Sequence, residues 1–486
     1  MSEKTPFIGE EAFDTETGQA VWWDGFGWSY TNPEQRGYSN GTPADPVAED
    51  HSPLLPQQRP ERLPLSYSQQ RLWFIHQLQK STPEYNMPAA FRLRGELAVS
   101  ALQRALDHIV ERHEILRTRF VEIEGEPAQV IAAELHIALP IDDLSGLDDE
   151  AKRACINTAI RGEHEQAFDL TRGPLLRLRL LKLAHADHVL LWTVHHIVFD
   201  AWSQSVFLRE LMALYEAFCA GEKNPLPALP VQYADFALWQ RSWLNEGAMI
   251  CELEYWKKQL AGAPSQLDLP RDRARPAQRA FVANCCNVLM PAGQLANLEH
   301  LTLGTQTTLY MALLAAFAVL LQRYSRQDDV VIGSPIANRR ETQLEPMIGF
   351  FANTLVLRLQ VRPEESFREL LVRVRARALE AYQHQDLPFE RLVQELSPQR
   401  SLNATPIFQV VFALQNAFTK LKPLQGMQVE PLVADEVRIR FDLEVHAFQQ
   451  PDGISFDWLY DRELFDRWRV EQMARHYLHL LQAVQA

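Results

Sequence analysis

Two adjacent histidines, His195 and His196, follow a run of apolar residues, and Asp200 stands four positions after the second histidine. Histidine is the one side chain whose ordinary pKa lets it accept and donate a proton near neutral pH. At the end of a buried strand it stands at the edge of a rigid sheet, where a cleft can form. This segment is therefore our candidate for the chemistry of the chain.

A metal site is one interpretation of tandem histidines, and the spacing argues against it. Neighbouring residues of a strand point to opposite faces, so one ion does not easily take both imidazoles. The sequence around them has no HExxH or HxH spacing and no carboxylate-rich partner. We therefore expect no metal here, and no cofactor bound by the chain itself. A purely structural histidine pair remains the simpler alternative on these residues alone.

The flanking residues predict a hairpin that delivers the two histidines. Residues 175–183 alternate at first between apolar and charged, residues 185–187 form a turn, and residues 189–194 return as a second strand. A helix is predicted at 201–220, where Gly221 ends it. Upstream, helices are predicted at 66–79 and 99–114 and a strand at 87–94.

The second half has the same character after a stretch rich in proline and arginine, residues 264–276. Helices are predicted at 309–324, 366–380 and 466–486, strands at 329–333 and 408–412, and a hairpin from 438–448 to 454–460. The chain is thus of the α/β class. Two lobes of similar composition are expected to leave a cleft or tunnel between them, although the sequence contains no evident repeat.

The first 60 residues differ from the rest. Residues 21–30 predict a strand, an Asp-Gly turn and a second strand, and residues 31–64 carry seven prolines, which is typical of a linker. This small β element either packs on the main body or docks another protein, because a lone hairpin is marginally stable. We predict an extension at 1–60, an N-terminal lobe at 61–235 and a C-terminal lobe at 236–486.

Composition excludes several classes of protein. With 486 residues, 47% hydrophobic and 23% charged, the chain is a folded one, and its net charge of −14 disfavours nucleic-acid and membrane-surface binding. No apolar run approaches the ~20 residues of a membrane span, and no signal peptide is evident. Five scattered cysteines without CxxC spacing predict reduced thiols in the cytoplasm. We expect a monomer.

Seven sequence segments, in a fixed order along the chain, resemble the motifs of a known protein family. They are residues 66–74, 112–120, 195–200, 233–240, 348–354, 384–390 and 405–412. With them, the chain from about Leu65 onward resembles the condensation domains of nonribosomal peptide synthetases, which are related to chloramphenicol acetyltransferase. His195 to Asp200 corresponds to the HHxxxDG signature of that family. The departure is Ala201, whose methyl group replaces the glycine and is expected to have a mild effect.

The resemblance implies two chloramphenicol-acetyltransferase-like lobes in a V arrangement around a central tunnel. It also implies amide formation, in which the amine of a downstream aminoacyl thioester attacks an upstream acyl or peptidyl thioester. An α-amino group has a pKa of about 7.7–8.0 and needs help to lose a proton at neutral pH. His196 is expected to face the tunnel and give this help, and His195 to be structural. Holding the reactants in line is expected to matter at least as much.

The resemblance also assigns supporting roles. Asp200 is expected to pair with an arginine of the second motif, either Arg112 or Arg117, and to hold the histidine loop. Backbone amides near Ala201 and Trp202, or the side-chain amide of Asn353, are expected to meet the developing oxyanion. The residues expected to line the tunnel are Ala201, Trp202 and Ser203.

The expected partners are upstream and downstream carrier domains, whose 4'-phosphopantetheine arms deliver the substrates. The resemblance further implies downstream adenylation and carrier domains fused in the full-length protein, and the start at Met1 implies a donor supplied in trans. Residues 82–88 and 336–339 resemble the subclass that joins two L-residues. A starter domain that takes acyl-CoA and a non-catalytic recruitment domain stay as alternatives. His195 excludes a cyclising relative, and an epimerase would carry a different sequence after Asp200.

Overall fold

The computed structural model describes residues 11–13, 20–23, 28–29, 53–78, 83–244, 246–277, 279–396, 405–415, 426–432 and 437–484. The strands are β1 (Glu11–Phe13), β2 (Ala20–Trp23), β3 (Trp28–Ser29), β4 (Leu63–Pro64), β5 (Asn86–Arg94), β6 (Thr118–Ile123), β7 (Glu126–Ile131), β8 (Ile141–Asp143), β9 (Leu176–Ala184), β10 (Asp187–His195), β11 (Val282–Pro291), β12 (Asp329–Ile336), β13 (Asn353–Gln360), β14 (Val410–Gln415), β15 (Gln428–Leu432), β16 (Val437–Arg438), β17 (Leu443–Gln450) and β18 (Gly453–Asp461). The helices are α1 (Tyr67–Leu78), α2 (Val99–Arg112), α3 (Asp149–Glu165), α4 (Ala201–Cys219), α5 (Tyr233–Trp243), α6 (Glu246–Leu260), α7 (Ala292–Thr305), α8 (Leu309–Ser325), α9 (Phe367–Gln383), α10 (Phe389–Leu396) and α11 (Arg467–Ala483).

The first lobe is built on a five-stranded sheet in the order β15-β5-β10-β9-β8. The predicted hairpin is confirmed as β9 and β10, paired antiparallel. The middle of strand β10, residues 189–192, is apolar because helices cover both faces of the sheet. Its Leu190, Trp192 and Val194 pack in one core with α2 and α4, and Val189 and Leu191 pack in a second core with α3. This burial fixes the strand that ends in His195.

The second lobe is built on a seven-stranded mixed sheet in the order β13-β12-β14-β17-β18-β11-β16. Strands β12 and β14, and β14 and β17, run parallel, and the other neighbours run antiparallel. Helices α6 to α11 contribute to its core. Helix α8 is buried on nearly every side, which explains why its sequence is apolar all round.

Two segments of the second half belong to the first lobe. Strand β15 pairs antiparallel with β5, so it forms the edge of the first sheet. Residues 344–351, which we call the inserted segment, place apolar side chains in the core with α2 and α4. The predicted boundary between residues 235 and 236 falls inside α5. The first lobe therefore contains two segments from the second half of the sequence, strand β15 and the inserted segment, and these connect the two lobes.

Near the N-terminus, β1, β2 and β3 form a three-stranded antiparallel sheet in which Trp23 pairs with Trp28. Residues 30–52, which hold most of the predicted linker, lie outside the described residues, and partner docking by residues 1–60 stays a prediction. Among the described residues, no single helix has the length and apolarity to cross a membrane, although α7 and α8, bent at 101°, pass that test as a pair.

Candidate functional site

The two histidines lie where β10 ends and a single turn of 3-10 helix, His196–Val198, begins. The backbone N–H of His195 donates to the carbonyl oxygen of Leu175 at 2.9 Å, and that of His196 donates to the carbonyl oxygen of Tyr85 at 2.8 Å. The main chain at this corner is therefore held from both sides. Helix α4 begins at Ala201, so the histidines lie between the C-terminal end of β10 and the N-terminus of α4.

His195 lies inside the corner with its side chain buried, and its structural role stays a prediction. Its Nδ1 accepts a hydrogen bond from the backbone N–H of Ile197 at 3.1 Å. The ring lies 6.0 Å from the ring of Phe168 and 6.2 Å from that of Tyr85. Burial, together with nearby positive charge, holds the pKa of His195 well below its ordinary value. The imidazole is therefore neutral and shapes the turn.

His196 has a different environment. Its ring is half-buried and lies 4.5 Å from the ring of Phe350, which belongs to the inserted segment. Its Nδ1 is buried and has no hydrogen-bond partner in the part of the chain that the structure describes. Burial first, and then the positive charge of Arg440, lower the pKa of His196 to about 4, while Asp200 acts in the opposite direction. His196 is thus a neutral imidazole with an unused ring nitrogen, at a contact between segments of the two halves.

Asp200 is completely engaged in structure. It is 1% exposed and caps α4, with Oδ1 accepting from the backbone N–H of Ser203 at 2.8 Å and from its hydroxyl at 2.7 Å. Oδ2 accepts from the backbone N–H of Phe351 at 3.1 Å. The paired cation is Arg339, whose Nη2 lies 3.2 Å from Oδ1. Asp200 thus ties the histidine loop to the inserted segment.

The prediction that Asp200 pairs with Arg112 or Arg117 is wrong. Arg112 ends α2 and binds Glu210 of α4 at 2.9 Å, more than two helical turns from the Asp200 cap. Arg117 donates to the carbonyl oxygen of Ala132. The motif still matters for the site through His113. Its Nε2 lies 2.8 Å from Glu210, and its Nδ1 accepts from the backbone N–H of Ile348 at 3.3 Å.

Arg339 is the partner that sequence reasoning missed, although residues 336–339 carry part of the likeness to the subclass that joins two L-residues. Its guanidinium is almost completely buried and donates to the carbonyl oxygens of Leu344 and Met347 as well as to Asp200. It also lies 4.1 Å from the centre of the Phe351 ring. A buried arginine needs a carboxylate and several acceptors. Arg339 therefore binds backbone carbonyl groups of the inserted segment and, through its ion pair, connects that segment to Asp200.

Ser203 does not line a tunnel, which corrects the prediction. Its side chain is fully buried, its hydroxyl lies 2.9 Å from the carbonyl oxygen of Gly349, and it accepts from the backbone N–H of Gly349 at 3.0 Å. Gly349 itself must be glycine, because a Cβ there would stand 2.2 Å from the ring of Tyr233. Ser203 is therefore part of the clamp on the inserted segment.

The two residues before Ser203 are more accessible. Ala201 is exposed at the start of α4, and Trp202 is half-buried with its indole N–H donating to the carbonyl oxygen of Glu345 at 3.0 Å. Their exposure leaves both available as lining residues, and that role stays a prediction. The same holds for their backbone amides as oxyanion donors.

Asn353 is not available as an oxyanion donor, contrary to the prediction. Its amide nitrogen donates to the carbonyl oxygens of Gln385 and Leu387 at 2.8 and 2.9 Å. Its carbonyl oxygen accepts from the backbone N–H of Phe389 at 3.0 Å. Both amide hydrogens are thus used to hold the 384–389 loop against β13, which is a supporting role.

Comparison with known proteins gives the family. The family model described as "Condensation domain" matches residues 60–486, so the chain belongs to the condensation domain family. It is 43% identical to a linear gramicidin synthase protein of Brevibacillus parabrevis over 90% of this chain and 8% of that protein. It is 41% identical to malpibaldin synthetase of Mortierella alpina over 89% of this chain and 8% of that protein. The chain spans less than a tenth of these two relatives.

Solved structures agree on the two-lobed α/β fold. The X-domain from teicoplanin biosynthesis is 32% identical, with a TM-score of 0.79 and coverage of 89% of this chain and 97% of that one. A starter condensation domain of rhizomide synthetase, solved with C8-CoA, has a TM-score of 0.72 at 21% identity over 87% of this chain and 95% of that one. The second likeness supports the fold alone.

Proposed function

We propose that this chain forms an amide bond between two thioester-bound substrates. The nitrogen of the downstream aminoacyl group bonds to the carbonyl carbon of the upstream acyl or peptidyl thioester. The carbon–sulfur bond breaks, the upstream arm leaves as a thiol, and the amine gives up one proton. The observation that carries the proposal is His196, a neutral imidazole at the end of β10, next to Asp200, whose carboxylate is taken up by the cap of α4, the backbone N–H of Phe351 and Arg339.

The pKa of His196 decides how it contributes. A base with a pKa of about 4 does not readily deprotonate an ammonium group with a pKa of about 8, since four pKa units correspond to about 5 kcal/mol. The neutral imidazole instead accepts a hydrogen bond from the free amine and fixes its line of attack. It then takes the proton once nitrogen has bonded to carbon, because this lowers the basicity of the nitrogen. Positioning is the main effect.

We infer that the substrates arrive on carrier domains through 4'-phosphopantetheine arms, since the relatives are peptide synthetases of which this chain matches only a part. Adenylation and carrier domains fused downstream would supply the acceptor. Acyl-CoA is the donor to consider for a starter domain, because the rhizomide starter domain was solved with C8-CoA. Monomeric state and cytoplasmic location complete the proposal.

Recruitment of another protein is the second candidate function. The teicoplanin X-domain was also solved in a complex with OxyB, and that chain has a TM-score of 0.78 and 31% identity to this one. A chain that only recruits a partner would not need an unpaired His196 beside a locked Asp200. We therefore favour catalysis.

A condensation assay separates these functions. The chain is mixed with an acyl carrier-bound donor and an aminoacyl carrier-bound acceptor, and the acceptor is analysed by mass spectrometry. We expect the acceptor to gain the acyl mass, and an acceptor with an acetylated amine, which lacks the nucleophile, to gain nothing. A parallel reaction with acyl-CoA as donor tests the starter alternative. No product with either donor, over a range of acyl groups, would favour recruitment.

A further inference from the structure

Arg440 reaches across from the second lobe to the first. It lies between β16 and β17, and its guanidinium carbon stands 4.5 Å from the centre of the Tyr85 ring. Its Nη2 also lies 3.5 Å from the carbonyl oxygen of Glu84. Residues 84 and 85 form the turn before β5. A cation of one lobe therefore rests on an aromatic ring of the other.

Tyr85 is in direct contact with the histidine corner. Its carbonyl oxygen accepts the backbone N–H of His196 at 2.8 Å, and its ring lies 6.2 Å from the ring of His195. Whatever moves Tyr85 also moves the peptide that anchors His196. Arg440 thus contacts a residue that joins the lobe contact to the proposed site.

The backbone at Arg440 is held in place, while its side chain is exposed. Its backbone N–H donates to Oε1 of Glu444 at 3.2 Å, and Oε2 of Glu444 lies 3.3 Å from Nε2 of His446. The other ring nitrogen of His446 lies 3.1 Å from the amide nitrogen of Gln415 on the adjacent strand. The neighbouring Ile439 is buried, and its N–H donates to the carbonyl oxygen of Phe281. The guanidinium is therefore presented from a rigid sheet edge.

We propose that Arg440 is a positioning residue for condensation, which clamps Tyr85 across the lobe contact and keeps a fixed positive charge near the His196 imidazole. The inference rests on the proposed function of His196. It assigns Arg440 two linked effects, on the geometry of the histidine corner and on the protonation of His196. Neither effect requires contact between Arg440 and the substrates.

The charges around His196 support this assignment. Arg440 is, after burial, the largest influence that lowers the pKa of His196, and Asp200 works against it. His195 is neutral, and Asp200 is offset by its ion pair with Arg339. Glu444 is close to Arg440, but its carboxylate is held by the backbone of residue 440 and by His446. Among the described residues Arg440 has no side-chain ion pair, although the nearby Glu444 carboxylate offsets part of its charge.

Three variants test the proposal: Arg440→Met, Arg440→Lys and a control, Arg438→Met, which removes an exposed arginine two residues away. Each is assayed for kcat/KM of condensation, and the His196 imidazole is titrated by NMR with 13C-labelled histidine between about pH 3 and 8. The signal of His196 is identified by its loss in His196→Ala. The titration needs no turnover, so it stays informative if amide formation itself is not observed.

We expect Arg440→Met to raise the His196 midpoint by less than about one pH unit, because Arg440 is exposed and solvent screens its charge, and to lower kcat/KM by roughly two- to tenfold. Arg440→Lys keeps the charge and should leave the midpoint near wild type, with a smaller loss of rate. Arg438→Met should match wild type in both measurements. An unchanged midpoint in Arg440→Met, or equal effects of Arg440→Met and Arg438→Met, would overturn the proposal.

Discussion

Asp200 and His196 are four residues apart, and the structure treats them in opposite ways. The Asp200 carboxylate accepts from Ser203, Phe351 and Arg339 and has almost no exposed surface. Among the described residues His196 has no partner for Nδ1, and it keeps part of its ring exposed. A buried polar group without a partner costs free energy, so the position of the His196 ring is not explained by its own hydrogen bonds. Asp200 therefore has a structural role in the site, and His196 is the residue for which we propose a role in the reaction.

The difference extends to what each residue touches. Asp200 holds the inserted segment through Arg339, and that segment carries Phe350 to within 4.5 Å of the His196 ring. Fixing Asp200 therefore fixes one wall beside His196. The following experiments change the buried residues that hold the site together, from the largest expected effect to the smallest.

Removing the Asp200 carboxylate should have the largest effect on stability. Asp200→Ala leaves the buried Arg339 without its counterion and removes the cap of α4, so we expect a loss of about 3–5 kcal/mol in the free energy of unfolding. Urea denaturation followed by circular dichroism measures it. An exposed ion pair, Arg467 with Glu471, gives the control variant Glu471→Ala, expected to cost about 1 kcal/mol or less. Equal stabilities of the two variants would contradict a locked Asp200.

Filling the contact between Gly349 and Tyr233 should have a smaller effect. Gly349→Ala puts a methyl group 2.2 Å from the Tyr233 ring, which is itself buried. Overpacking of this kind costs about 1–3 kcal/mol. Gly146→Ala is the matched control, because nothing lies within 4 Å of its Cβ position. Thermal unfolding of both variants measures the difference. If Gly349→Ala is as stable as Gly146→Ala, the contact between residue 349 and the Tyr233 ring is not tight enough to require glycine.

The pH dependence of stability should show that His195 is held neutral. Its pKa in the folded chain lies well below 6.5, so below that pH the unfolded chain binds a proton that the folded chain excludes. Stability therefore falls as the pH drops from about 7 to about 5. His195→Asn keeps an acceptor for the N–H of Ile197 and removes the titration. Its slope should be shallower by up to about 1.4 kcal/mol per pH unit, and an unchanged slope would mean that His195 binds its proton when folded.

The sequence predicted the local part of this site well, and the tertiary part poorly. The hairpin ending in His195 and the helix beginning at Ala201 follow from apolar patterning within about 30 residues, which depends on local burial. The N-cap role of Asp200 was not predicted, although aspartate directly before a helix is a local signal for it.

The partner of Asp200 lies 139 residues away in sequence and reaches it because the inserted segment enters the first lobe. Nothing in the spacing of Arg112, Arg117 and Arg339 distinguishes them, since all three are arginines near apolar residues. The roles expected of Ser203 and Asn353 are wrong for the same reason, because their hydrogen-bond partners are backbone atoms of distant loops. Resemblance located the right segments and left their contacts undetermined.

The central claim is that His196 is the free group of a locked site. It is tested most directly by the single-turnover rate of amide formation by His196→Ala, measured on protein whose melting temperature is also recorded. We predict a rate roughly 10²–10⁴-fold below wild type with a melting temperature close to wild type. A rate within a few-fold of wild type, or a loss of rate explained by unfolding, would contradict the account.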